Sequence, residues 1–183
     1  MRFPMLAEET MNEEQKRVAK SIADGPRGGV RGPFLPLLYD ASLAERVQGL
    51  GQYVRYENGL PQSINEMAVL ITARHWDCAY EWAAHAPLAQ KAGLSPTVIE
   101  PLGEGKRPPA MTEEERIAYE FCTEILRSKQ VSEPTFDAAK ATFGLRGALN
   151  LTAVCGYYGM LALVLNTAAI PLPAGAPRLP DLR

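Results

Sequence analysis

The feature that most constrains this chain is a long uncharged stretch near its C-terminal end. No Asp, Glu, Lys or Arg occurs from Gly147 to Pro177, and Ala148–Ile170 is long enough to cross a bilayer as a helix. The same stretch contains polar residues that a bilayer disfavours, namely Asn150, Thr152, Asn166 and Thr167. A helix that is apolar on every side is typical of the centre of a helical bundle or of a subunit interface. The sequence therefore predicts a buried helix and no membrane association.

The rest of the chain has the pattern of helices separated by Gly and Pro, with hardly any alternation typical of strands. Thr112 and Glu115 form a capping-box signature at the start of one of these helices. The other predicted segments are Asn12–Ala23, Ser42–Glu57, a helix that begins at Ser63, Cys78–Ala92 and Glu133–Phe143. A chain of 183 residues suits one domain. The prediction is an all-α, single-domain helical bundle of about seven or eight helices.

Charge and cysteine content exclude several classes of protein. Nineteen basic and 21 acidic residues leave no surplus of positive charge for binding nucleic acid. The three cysteines, at positions 78, 122 and 155, cannot all pair within one chain, which favours reduced thiols and a cytoplasmic protein. The first ten residues include Glu8 and Glu9 and lack the apolar core of a signal peptide.

Reactive side chains are densest between Arg74 and His85, and both tryptophans and both histidines of the chain lie within 75–85. Helical spacing places Cys78, Glu81, Trp82 and His85 on one stripe. The start of a helix favours a thiolate at Cys78. The stripe is a candidate catalytic face.

Two other interpretations of this stripe are open. In the first, Trp82 is a core residue, Cys78 is a small buried hydrophobe, and Glu81 and His85 are an ordinary pair one helical turn apart. In the second, His75, Cys78, Glu81 and His85 bind a metal. Their spacing is not that of a standard zinc site, so no metal is predicted.

A second notable segment is Gly25–Pro33, which contains four Gly, two Pro and two Arg. Such a composition indicates a loop with tight turns. It predicts backbone that passes close to another part of the protein.

The segment around the reactive stripe resembles the core of the carboxymuconolactone decarboxylase and alkyl hydroperoxidase D-like family. The hydroperoxidase branch has a Glu, then twelve residues later Cys-x-x-Cys-x-x-x-His. Glu66, Cys78 and His85 match the Glu, the first Cys and the His, while Glu81 replaces the second Cys. The decarboxylase branch is similar in having a Glu four residues before the His. The resemblance covers about Ser42–Gly93 well.

The resemblance implies an all-α domain of the alkyl hydroperoxidase D-like type that assembles as a homotrimer or homohexamer, with Ala148–Ile170 at or near its centre. Residues 1–41 are then an N-terminal extension, and residues 171–183 a Pro-rich tail. Because Glu81 stands where the second thiol would be, two-cysteine peroxidase chemistry is disfavoured. The first prediction is a cofactor-independent lyase that decarboxylates a small lactone or keto-type carboxylic acid.

In this lyase, His85 donates and accepts the proton, because its ordinary pKa is close to neutral pH. Glu81 orients the imidazole or shares its proton, and the resemblance implies that Glu66 completes the relay. Arg74 or Arg55 is expected to bind the substrate carboxylate. The apolar walls of the substrate site are predicted to be Trp76, Tyr80 and Trp82.

Two alternative functions stay open at this stage. One is a thiol-dependent hydroperoxidase, an antioxidant activity of the peroxiredoxin type, that uses Cys78 if this thiol is exposed and its pKa is lowered. The other is a non-catalytic oligomeric protein that binds a small molecule.

Overall fold

The computed structural model describes residues 1–182, and within that range the secondary structure is entirely helical. A short 3₁₀ turn lies at Glu8–Thr10, and one turn of π-helix at Tyr53–Glu57. The eight α-helices of the described residues are α1 (Glu13–Asp24), α2 (Phe34–Leu37), α3 (Ala41–Gln52), α4 (Gln62–His75), α5 (Ala79–Lys91), α6 (Pro96–Gly103), α7 (Glu113–Ser128) and α8 (Glu133–Ala168). The predicted all-α class and helix number are confirmed.

Local capping signals determine several helix ends. Thr112 accepts a hydrogen bond from the backbone of Glu115 at the start of α7, and the Glu115 side chain accepts one from the backbone of Thr112. Gly93 follows α5 with φ +100°, a left-handed conformation that favours glycine. These ends agree with the predictions from sequence.

Helix α3 differs from its prediction in both its cap and its buried face. Asp40 caps the helix through the backbone of Leu43, two residues before Ser42, where the predicted segment begins. Helical spacing predicts that Leu43, Val47 and Leu50 share one inward face, yet Leu43 and Leu50 are about half exposed. The buried positions are the small residues Ala41, Ala44, Val47 and Gly51. Small side chains let α3 approach its neighbours closely, and the leucines are left on the outer face.

Helix α4 is the centre of the bundle. Its ten consecutive residues Ile64–Ala73 are all buried, because α5, α7 and α8 pack around it. In the sequence, Ile64, Met67, Ala68 and Ile71 recur at helical spacing, which by itself predicts only one buried face. Burial on all sides brings Glu66, an ionisable residue, into the interior with 1% of its surface exposed.

Helix α8 bends at Gly144, where φ is +71° and ψ is 173°, so the chain forms two helical pieces as the sequence predicted. Among the described residues, it is the one helix long and apolar enough to span a membrane by length and composition, and 61% of its most apolar window is buried against the rest of the molecule. Leu145, Leu149 and Leu163 lie on its outer face and are exposed.

Candidate active site

The junction of α4 and α5 places the candidate side chains. The chain turns through Asp77, which has φ +47°, and α5 begins with Cys78 as its N-cap residue. From there, Glu81 and His85 lie one helical turn apart on the face of α5 that is directed inward.

The imidazole of His85 lies between two carboxylates. Its Nδ1 is 2.6 Å from Oε2 of Glu66 on α4, and its Nε2 is 3.4 Å from Oε2 of Glu81. Glu66 in turn accepts a hydrogen bond of 2.8 Å from Nε2 of Gln62. Glu81 and His85 are each only 4% exposed. The predicted Glu66–His85–Glu81 cluster is therefore present as a buried, connected unit.

Burial raises the pKa of Glu81 above its ordinary value. His85, Arg55 and Arg27 act in the opposite direction and lower the pKa of Glu81, while Glu66 raises it further. The ring of Tyr158 on α8 meets the His85 ring edge to face, at 5.0 Å between centroids. Burial also raises the pKa of this tyrosine.

Glu81 and His85 form part of the wall of a cavity of about 350 Å³. Three arginines line the same cavity, Arg27 and Arg31 from the loop before α2 and Arg55 from the π-helical turn. Other lining residues are Gly32, Phe34, Tyr80, Leu88, Tyr158 and Leu161. Glu66 does not line the cavity and lies behind His85. The cavity thus offers two proton-transfer groups opposite positively charged walls.

None of the ion pairs in the described part of the chain involves these three arginines. Arg27 donates a hydrogen bond of 3.2 Å to the hydroxyl of Tyr157 and lies over the ring of Phe34, 4.5 Å from its centroid. Arg55 lies beside the ring of Tyr56. Their guanidinium charges are therefore available to an anionic ligand.

Of the four residues predicted to bind substrate, Tyr80 lines this cavity, and the other three do not. Arg74 instead donates hydrogen bonds to the carbonyl oxygens of Gly103 and Pro180 and pairs with Asp77. Trp76 lines a different, apolar cavity, and Trp82 is buried against Gly103. Arg55, the other arginine proposed from sequence, is present in the cavity.

Cys78 is completely buried, in contact with Ala162 and Leu165 of α8. Burial raises the pKa of its thiol to about 11, although hydrogen bonds from the backbone of Glu81 and Tyr80 at the helix start act in the opposite direction. The expectation that the helix start favours a thiolate is therefore wrong, because desolvation outweighs the helix-end field at this position.

The other two cysteines lie together. Cys122 on α7 and Cys155 on α8 are both buried, and their side chains form a hydrogen bond that raises the pKa of Cys122 and lowers that of Cys155. The sequence alone could not bring these positions together, because they lie on different helices.

Sequence reasoning did not assign Arg27 and Arg31 to the site. The available signal was the Gly- and Arg-rich composition of Gly25–Pro33, which predicted a close approach of the backbone. That approach is confirmed at Gly32, where φ is +58° and an added Cβ would lie 2.8 Å from the ring of Tyr80. Within residues 1–182, no group of three His, Cys, Asp or Glu side chains is arranged to hold a metal ion.

Comparison with known proteins identifies the type of helical fold. No family model matches the sequence, and no curated protein matches it. Among solved structures, the chain is similar to the crystal structure of an alkylhydroperoxidase AhpD core, an uncharacterized peroxidase-related protein from Ralstonia eutropha JMP134. The TM-score is 0.77 at 18% identity, over 94% of this chain and 92% of that one. The chain therefore has the alkylhydroperoxidase D-like fold that the sequence resemblance implied.

Proposed function

We propose that this protein is a cofactor-independent lyase that decarboxylates a small lactone or keto-type carboxylic acid. One observation carries the proposal: a buried imidazole held between two carboxylates forms part of the wall of a cavity that three unpaired arginines also line. Such an arrangement provides a proton donor for the product and a binding site for the negative charge of the substrate.

The substrate carboxylate is assigned to Arg55. This residue is half-buried, lines the cavity and lies close enough to Glu81 to influence its pKa. A guanidinium binds a carboxylate through two parallel hydrogen bonds, which fixes its orientation. Arg55 takes this role in place of Arg74, whose donors are already bonded to the carbonyl oxygens of Gly103 and Pro180.

The reaction requires only one proton. The bond between the carboxylate carbon and the α-carbon breaks, carbon dioxide leaves, and the electron pair moves into the conjugated carbonyl of the substrate to give an enolate. A proton then passes from the Glu81 carboxyl to the carbon, and solvent restores it through His85. The raised pKa of Glu81 favours the protonated form that this step needs.

Glu66 has a positioning role in this scheme. As a carboxylate it accepts the Nδ1 proton of His85, which directs the lone pair of Nε2 toward Glu81. Gln62 fixes the second oxygen of Glu66 through its side-chain amide. The hydrogen bond from His85 to Glu66 therefore determines which ring nitrogen of His85 can exchange a proton with Glu81.

We further propose that the chain assembles as a homotrimer or homohexamer through the outer face of α8. This face exposes Leu145, Leu149 and Leu163, and it borders an apolar cavity of about 890 Å³. Contiguous exposed apolar surface of this kind is typical of protein–protein contacts. A second copy of the chain, which has the same apolar outer face on α8, is the occupant that matches the surface.

The test of the lyase is release of carbon dioxide from a panel of carboxylated lactones and β-keto acids, performed in D₂O. Wild type is expected to release carbon dioxide and to place one deuterium on the former α-carbon. The Glu81→Gln and His85→Asn variants are each expected to lose about 10²- to 10⁴-fold in kcat. Cys78→Ser is expected to retain activity, since its thiol is buried away from the cavity.

Loss of activity in Cys78→Ser, with activity kept in both other variants, would overturn the proposal. If the protein binds one of these carboxylated compounds and does not convert it, the result would instead support a binding protein without catalysis.

A second candidate function is thiol-dependent peroxidase activity. The similar structure from Ralstonia eutropha is named as peroxidase-related, and this chain holds one pair of neighbouring thiols, Cys122 and Cys155. In this scheme the Cys155 thiolate attacks the peroxide, releases water or an alcohol, and becomes a sulfenic acid that Cys122 resolves as a disulfide. Peroxide consumption with dithiothreitol that disappears in Cys155→Ser would support this candidate.

A further inference from the structure

We infer that Arg27 and Arg31 form an oxyanion subsite in the cavity, separate from the group that Arg55 binds. Both residues come from the loop before α2, and both line the cavity that Glu81 and His85 also line. The subsite rests on the proposed function for its role in catalysis, but its existence is measured by binding alone.

The charges of Arg27 and Arg31 are not compensated within the protein. Arg27 is half-buried, and neither it nor Arg31 takes part in an ion pair of the described chain. Two guanidinium groups in one cavity wall repel each other and lose part of their hydration. A protein bears this cost when a ligand supplies the missing negative charge, because the charge pair then forms in a partly dry environment.

Contacts within the protein also hold these two guanidinium groups in position, and they are most extensive for Arg27. Its guanidinium donates to the Tyr157 hydroxyl, which itself donates to the carbonyl oxygen of Val47 at 3.2 Å. A Cβ at position 51 would overlap both the Tyr157 hydroxyl and Arg27, so Gly51 is needed for this arrangement. Together with the ring of Phe34, these contacts hold Arg27 in place before any ligand arrives.

Arg31 is held differently. It is exposed, and its Nη2 donates to the backbone carbonyl oxygens of Arg27 and Gly28, so that it braces the loop and leaves other donors of its guanidinium free. Its charge also acts on Tyr80, a lining residue. Arg31 therefore lies at the solvent side of the subsite and Arg27 at the inner side.

The chemistry of the subsite selects its ligand class. Planar guanidinium groups bind carboxylates and phosphates through paired hydrogen bonds, whereas a neutral group would leave both charges uncompensated. The molecule that enters the cavity is expected to carry a second oxyanion, which binds Arg27 and Arg31. A carboxylate and a phosphate share this chemistry, and the experiment below distinguishes them.

The chain contains two histidines, His75 and His85, which makes NMR of ¹³C-labelled imidazoles a direct probe. Malonate and inorganic phosphate are titrated separately, with sodium chloride at matched ionic strength as the blank. The His85 signals, inside the cavity, are expected to shift with at least one anion, and those of His75, which does not line it, to stay in place. The anion with the higher affinity identifies the ligand as carboxylate or phosphate.

Variants assign the effect to the loop. Arg27→Gln and the double variant Arg27→Gln/Arg31→Gln are expected to weaken anion binding about 10- to 100-fold. The matched control is Arg46→Gln, because Arg46 bonds Ser42 on α3 and does not line the cavity. The dispersion of the methyl signals checks that each variant is folded.

Equal affinity of wild type and the double variant, or equal shifts of His75 and His85, would overturn the subsite. Anion binding that depends on Arg27, in a protein that releases no carbon dioxide, would support the subsite and contradict only the lyase. If the protein releases carbon dioxide and the double variant has the same KM as wild type, the lyase is supported and the subsite is contradicted.

Discussion

Helix α8 separates two cavities of opposite character. On one side, Tyr158 and Leu161 face the smaller cavity of about 350 Å³, which contains three arginines and the buried pair Glu81 and His85. On the other side, Gly156, Gly159 and Leu163 face a cavity of about 890 Å³ with mostly apolar walls. The uncharged part of α8, residues 147–168, thus contributes to both a polar and an apolar surface.

The two cavities differ in the groups that line them as well as in volume. The larger cavity contains no cluster of proton-transfer groups, and its walls are mostly leucine, valine, methionine and small residues. The smaller cavity contains the buried ionisable groups Glu81 and His85; such burial costs stability, and groups of this kind are concentrated at functional sites. We propose that catalysis occurs in the smaller cavity and that a second subunit covers the larger one, and the following predictions test that division.

The largest effect is expected from a charge placed at the edge of the apolar cavity. Leu163→Lys replaces an exposed leucine (48% exposed) on the outer face of α8. If a second copy covers this leucine, loss of its burial weakens association by about 1.5–3 kcal/mol, or roughly 10- to 150-fold. Sedimentation velocity over a range of protein concentration measures the change.

The matched control is Lys91→Leu, a charge removal on α5 outside both cavities, which should leave the sedimentation profile unchanged. A wild-type chain that sediments as a monomer would refute the assembly, and with it the role given to the apolar cavity.

The next largest effect is expected from alanine substitutions at two glycines, which change the stability of the fold in opposite directions. Gly32 lines the polar cavity in a left-handed conformation, so Gly32→Ala is expected to cost about 1–2 kcal/mol and to displace Tyr80. Gly156 lines the apolar cavity in mid-helix with no atom within 4 Å of an added Cβ, so Gly156→Ala is expected to stabilise the fold by about 0.5–1 kcal/mol.

Urea denaturation measures the free energy of unfolding of both glycine variants. Each substitution is made in the Leu163→Lys protein, so that assembly contributes less to the measured stability. Equal stability changes in the two variants would contradict the proposed difference in packing between the cavities.

The smallest expected effect is a change of the free energy of unfolding with pH, caused by Glu81. The pKa of Glu81 is raised on folding, so the unfolded chain loses this proton at a lower pH than the folded chain. Stability is therefore lost as pH rises from about 4.5 through the folded pKa, by at most about 1.4 kcal/mol per pH unit for one proton.

Glu81→Gln removes this slope, so its free energy of unfolding should exceed that of wild type by a margin that grows with pH. Denaturation at several pH values measures the margin, and Glu114→Gln, at an exposed position on α7, is the control. A margin that is constant with pH would mean that Glu81 is ionised in the folded protein.

Much of the site follows from sequence because it depends on helical spacing. Glu81 and His85 are four residues apart, which places them on one face of any helix, and their position after Cys78 led to the family resemblance. The position of Glu66 twelve residues before Cys78 was part of the same pattern. The structure brings all three of Glu66, Glu81 and His85 together.

Other parts of the site depend on which chain segments meet. Arg27 lies 58 residues before His85 in sequence, and no local pattern shows that its loop closes over α5. Arg74, Trp76 and Trp82 lie close to the site in sequence, yet their side chains contact other parts of the molecule. Proximity in sequence misled the assignment of these three residues.

By itself, the sequence determined the helical class, most helix ends and the Glu81–His85 face, because caps and spacing act within a few residues. Only the tertiary structure decided the environment of each group. Burial raised the pKa of Cys78 against the field of its own helix, and packing from three sides made α4 the centre. Desolvation and contact between distant segments depend on the whole fold, and no short stretch of sequence contains them.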